Sequence, residues 1–182
     1  MNIFVLSKSP TLSAQYHCDK HVPKMIVESV QMLVSAARSY NALPHELPKT
    51  KAGNTMKGGF AHHPCTKWVG MHSENYEWTF RLYEALLDEY EFRFKKVHDC
   101  ARHKTILQSW IHKMPGLGKC SKRPVCMPDE YKIMAVDKWG AYEPEVIKSY
   151  RNYYCFAKPF ATWMRGRNQP RWYTASVKVD TY

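Results

Sequence analysis

Between Ala14 and Arg38 two periodicities run side by side. Val22, Ile26, Val30, Leu33 and Ala37 return every three or four residues, the period of one helix face. His17, His21, Lys24, Glu28, Gln31 and Ser35 return at the same period on another face. At about 100° per residue this polar set falls within an arc of about 80°. The pattern predicts an amphipathic helix running to about Tyr40, with Pro23 kinking or splitting it near Asp19. A split takes His17 off the polar ridge. Two imidazoles, an amine and a carboxylate in line suit proton transfer, or the holding of a metal or a phosphate, if the ridge lines a cleft. A solvated helix face is the plainer alternative.

Elsewhere the pattern is again helical. Asn2–Leu6 reads as a short strand or an extended arm, and Ser9-Pro10-Thr11 as helix-start chemistry. Asn41–Pro64 is a long loop bearing Gly53, Gly58 and Gly59 with Lys49, Lys51 and Lys57. Loops of this length are usually functional or mobile, and a basic, glycine-bearing one suits a nucleic-acid backbone. Thr66–Phe94 has a broad apolar surface and no proline, and predicts one long helix. A basic run follows (Lys95–Lys104), then a short helix over Thr105–Met114 and a second basic loop over Pro115–Pro128. Glu143–Trp163 predicts a last helix, with Pro144 in its first turn and Pro159 bending or ending it. Strand signals are few. The expected fold is mainly α, a single compact helical domain with long basic loops spanning residues 1–182.

Charge narrows the class of partner. A formal net charge of +11 favours a polyanion, nucleic acid first and an anionic membrane surface second. No apolar segment approaches the ~20 residues needed to cross a bilayer, and the first residues lack a basic n-region and a cleavage site. A soluble, cytoplasmic protein with no membrane partner is expected. The six cysteines include no CxxC pair and read as free thiols of a reducing compartment.

Three constellations carry candidate chemistry. The first is the ridge, with His17, His21, Lys24 and Glu28 as catalytic candidates: His21 or Glu28 as base and Lys24 as its charged neighbour. His17 and His21 could also ligate one metal with His62, His63, Cys65 or Glu28, but the spacing matches no metal motif. No cofactor is therefore expected, zinc being the alternative. The second is His63, Cys65 and Thr66 at the start of the long helix. Backbone N–H groups there favour an anion or would activate the thiol, unless these residues simply cap the helix. The third is the tail, where Arg165, Arg167 and Arg171 stand beside Trp172 and Tyr173. Guanidinium groups next to aromatics suit a DNA backbone and a stacked base. Lys20, Lys57, Lys119, Lys122 and Arg123 extend the candidate DNA-binding set. The glycine motifs of nucleotide-binding folds, GxSxG and HExxH are absent.

Lys20-His21-Val22-Pro23-Lys24 resembles the Arg-Glu-Leu-Pro-Arg motif of the pyrimidine-dimer DNA glycosylases of the phage endonuclease V type. Gln169-Pro170-Arg171-Trp172-Tyr173 is similar to that family's Arg-Pro-x-Trp-Tyr tail. The resemblance implies a small helical DNA glycosylase and AP lyase acting on a pyrimidine, the product of a bacteriophage gene working in the host cytoplasm. In that family an N-terminal α-amine, exposed by removal of Met, attacks the sugar C1′. Two positions depart from the pattern. Asn2 is bulkier than the residues behind which Met1 is usually removed, and His21 stands where the family has its catalytic glutamate. A related reading keeps the scaffold and changes the reaction to transfer onto a 5-hydroxymethyl-pyrimidine derivative, a DNA modification (thymine hypermodification). His17, His21 and Glu28 would then move protons and Lys24 would hold phosphate. A non-catalytic DNA-binding module also accounts for charge and aromatics.

Overall fold

A computed structural model describes residues 1–116, 121–137 and 140–174 of the chain. The candidate DNA contact Lys119 lies outside the described residues. Among those described, six α-helices and one small two-stranded sheet surround a single core, so the protein is mainly α. No described helix is long and apolar enough to cross a membrane.

Helix α1 (Pro10–Tyr16) starts as its sequence dictates. Ser9 Oγ accepts the Leu12 N–H, and Pro10 opens the first turn, where its missing donor costs nothing. The chain then splits: His17 turns extended, and α2 (His21–Ser39) begins four residues later. Pro23 therefore sits in the first turn of α2, where backbone N–H groups have no intrahelical acceptor. Of kink and split, the split is realised, and it redirects the ridge as described below.

The expected long helix over Thr66–Phe94 is two helices, α3 (Pro64–Met71) and α4 (Ser73–Phe94), broken at an extended His72. Gly70 lies two residues before this break and no proline marks it. Tertiary bonds hold it: Ser73 N–H donates to the Pro115 carbonyl, and the Asn75 amide caps the Trp68 carbonyl at 2.8 Å. Helix α2 packs on α3 and α4, and α1 on α4. A short α5 (Lys104–Gln108) lies in the segment expected to be helical. Strands β1 (Met134–Val136) and β2 (Tyr142–Pro144) form an antiparallel hairpin that the sequence pattern does not predict. The hairpin takes Pro144, so the last helix, α6, begins at Val146 and ends at Ala157, before Pro159.

Residues 2–6 form an arm, not a strand. Ile3, Val5 and Leu6 are buried, and α1 and α6 take the arm's polar groups: Leu6 N–H donates to Ser13 Oγ and Arg151 Nε to the Leu6 carbonyl. The arm thus runs through the core and delivers the first two residues to the middle of α2.

Arg93, at the end of α4, locks the α1–α2 break. Its fully buried guanidinium donates to the carbonyls of Gln15 and His17, to Asp19 at 3.1 Å and to Glu89 at 2.9 Å. Each of its three nitrogens has an acceptor, which is the condition for a buried cation to be tolerated. Removing it leaves Asp19 without its cation, Glu89 with Arg167 alone and two carbonyls without their donor. Arg93→Ala is expected to lower unfolding free energy by about 3–5 kcal/mol, measured by urea denaturation.

Candidate active site

The polar ridge divides at the first turn of α2. His17 is fully buried, with Nδ1 2.6 Å from the Ser13 carbonyl. His21 is 4% exposed; its Nδ1 lies 2.5 Å from the Tyr154 hydroxyl and its ring packs 4.8 Å from that of Phe4. Burial pushes the His17 imidazole down to about 4. Burial first, then His17 and neighbouring lysines, push His21 down to about 3. Both rings are neutral core groups facing the arm and α6, not a trench, which departs from the expectation of an open four-residue site. The reason is geometric: the break after Tyr16 and the docking of Arg93 turn this end of the ridge inward.

The other end of the ridge faces the start of the chain. Glu28 Oε2 accepts the backbone N–H of Asn2 at 2.8 Å, and Oε1 lies 3.7 Å from the ammonium of exposed Lys24. Ser35 Oγ bonds both the N–H and the carbonyl of Gly59, at 2.9 and 3.1 Å. Gly58 has a left-handed backbone (φ +74°), and a Cβ there would lie 2.3 Å from Ser35 Oγ, so only glycine lets the loop close onto α2. The next residues carry Phe60, 68% exposed and itself left-handed (φ 52°), and then His63, whose N–H donates to the Phe60 carbonyl.

Asn2 is the hub of this region. Its Oδ1 accepts from the Ile3 N–H (2.8 Å) and the Tyr150 hydroxyl (2.7 Å), and its Nδ2 donates to the Cys126 carbonyl (2.7 Å). Around it stand His63 and Cys65 at the start of α3, Cys126 and the chain's amino terminus. Thr66 Oγ1 donates to the Met1 sulfur. His63, Cys65 and Thr66 therefore do not leave an open anion site. His63 Nδ1 caps the Cys65 N–H, and Thr66 is covered by Met1. The expected activation of Cys65 is reversed. Its thiol donates to Cys126 Sγ, 3.6 Å away; that bond and burial push Cys65 up. Accepting that hydrogen bond draws the Cys126 thiol down to about 7.

The cationic candidates also divide. Lys20, Lys57, Arg165 and Arg171 are exposed. Lys20 and Arg165 line one cavity of about 620 Å³ with Phe160 and Met164. Arg167 instead neutralises buried Glu89 through several hydrogen bonds, Lys122 pairs with Glu143, and Arg123 stacks 4.3 Å over Trp78. Trp172 packs edge-on against Tyr16 and Tyr154. Arg167 and Trp172 thus serve the core of the tail, because a buried carboxylate requires a cation and a large ring finds an apolar slot. Asn2, Cys126 and Tyr150 carry no sequence signal as site residues; a lone asparagine or cysteine shows none until chain folding brings them together.

The fold and this cluster define a small, basic helical protein whose first residues are built into its own candidate site beside a carboxylate. The model of the pyrimidine dimer DNA glycosylase family matches residues 1–102, more than half of the chain, and the chain belongs to that family. No curated protein and no solved structure matches it.

His17 and His21 have a consequence for stability. Each takes a proton near pH 6.5 when unfolded and only near pH 3–4 when folded. The unfolded state therefore binds more protons below pH 6.5, and stability is full above that pH and falls as pH drops toward 4. Imidazole NMR titration is expected to find both rings still neutral at about pH 5, with urea midpoints falling across the same window.

Proposed function

We propose that the protein excises a pyrimidine base from DNA, with Glu28 as the catalytic carboxylate and the N-terminal amine as nucleophile. The observation that carries this reading is the 2.8 Å hydrogen bond between the nitrogen of Asn2 and Glu28. If Met1 is removed, that nitrogen becomes the α-amine itself, held against a carboxylate. If Met1 is retained, the terminal amine is one residue away, on a methionine whose sulfur is held by Thr66. In either form the amine attacks C1′ and the bond from C1′ to the base breaks. The bond's electron pair leaves with the base; Glu28 takes the amine's proton and passes it to the departing base, and the regenerated carboxylate stabilises the iminium that forms as the sugar ring opens at O4′. Glu28 so takes the part that the motif resemblance assigned to position 21, where His21 is buried and uncharged.

Exposed Lys20, Lys24, Lys57, Arg165 and Arg171 are the proposed phosphate contacts. Phe60 is the proposed wedge: a large exposed ring, left-handed in backbone, on a loop clamped to α2 by Ser35. It would fill the space left when a base is turned out of the stack.

Glu28→Gln is expected to lower excision about 10²–10⁴-fold while DNA affinity stays nearly constant. Single-turnover kinetics on irradiated and abasic DNA, with borohydride trapping, check this. Trapping of a covalent enzyme–DNA adduct supports the amine. Failure to trap, with a new nucleoside on 5-hydroxymethyl-pyrimidine DNA, would replace excision by base-modifying transfer. Salt-steep binding with no product from any DNA would leave a binding module. Phe60→Ala is expected to weaken productive binding about 10–100-fold, in line with ~1–3 kcal/mol for one stacked base, without changing thermal stability.

A further inference from the structure

We propose that His63, Cys65 and Cys126 form a metal site for zinc beside the N-terminal amine. One ligand atom from each of the three lies within 4.8 Å of the others. The two sulfurs are 3.6 Å apart. With Zn–S bonds of about 2.3 Å, the S···S edge of a tetrahedral site is about 3.8 Å, so the thiols already stand near the separation that one ion requires. Two thiolates and an imidazole are a donor set that selects zinc over magnesium or calcium.

The three side chains are aimed by their surroundings. His63 is the cap of α3, and its Nδ1 must present a lone pair because it accepts the Cys65 N–H. An ion that took that lone pair would replace the capping bond to the Cys65 N–H. The Cys126 backbone is fixed by the Tyr150 hydroxyl at 3.3 Å and by the Asn2 amide at 2.7 Å. These outer hydrogen bonds hold the donors in place, as the supporting shell of a metal site does.

Three protein ligands leave a fourth position, as in catalytic rather than purely structural zinc sites. The Asn2 carboxamide oxygen stands 4.0 Å from Cys65 Sγ, and the chain's amino terminus and Glu28 are held in the same region by the backbone of Asn2. An ion there would compete for the amine's lone pair, tying metal content to the availability of the nucleophile. The site itself does not depend on the glycosylase reading, since its test needs no DNA.

The experiment is metal analysis of the untagged, full-length protein purified in reductant without chelator, followed by cobalt(II) titration of the metal-free form. The expected result is one zinc per chain, and cobalt spectra with visible d–d bands of tetrahedral intensity and a near-ultraviolet thiolate charge-transfer band. In Cys126→Ser the charge-transfer band should weaken. In His63→Ala, at a half-exposed position, cobalt affinity should fall by more than about 100-fold, beyond the range for loss of a supporting hydrogen bond. Wild-type protein whose cobalt spectrum stays that of the hydrated ion overturns the proposal. So does a Cys65–Cys126 disulfide formed in the presence of reductant.

Discussion

The hydrogen bonds of the Asn2 side chain hold the candidate site together. Its carboxamide, buried in the protein, ties three separate stretches of chain, its own arm, the Cys126 loop and α6 through Tyr150, and its backbone N–H adds Glu28 of α2. A carboxamide has both acceptor and donor capacity, so it can satisfy a hydroxyl, a backbone N–H and a carbonyl at once. A smaller residue could not span them. The bulk that sets Asn2 apart from the family pattern is therefore what anchors the first residues beside Glu28.

Arg93 is the second constraint and works at a distance from the site. By satisfying the open carbonyls at the end of α1 it fixes where α2 begins, and hence which ridge residues face inward. His17 and His21 become neutral core groups under Tyr154 and Phe4, while Glu28 and Lys24 keep access to water. The same network uses up Arg167, since Glu89 lies between the two guanidinium groups. Part of the protein's positive charge is thus internal counter-charge, and only the remainder is available to a polyanion.

The family match ends at residue 102, yet the candidate site does not. Cys126, Tyr150 and Tyr154 come from the remaining chain and close over the arm. The matched part supplies α1 to α4, the N-terminal residues and Glu28. The rest supplies the groups that bury and orient them, along with the proposed third metal ligand.

The sequence by itself determined the helical class, the polar ridge of α2, the caps at Ser9 and His63, the end of α6 before Pro159 and the family. Each of these rests on local periodicity, capping or short motifs, which neighbours in sequence encode. It also marked Glu28, though as one of several equivalent candidates. Tertiary structure alone decided that the break offered by Pro23 is a split at His17, that a second break falls at His72, that His21 is buried while Glu28 meets the first residues, and that Cys65 and Cys126 stand side by side. Those outcomes depend on a buried guanidinium, a carbonyl from Pro115 and an asparagine amide arriving from far along the chain. Contacts of that range leave no period in the residues they join.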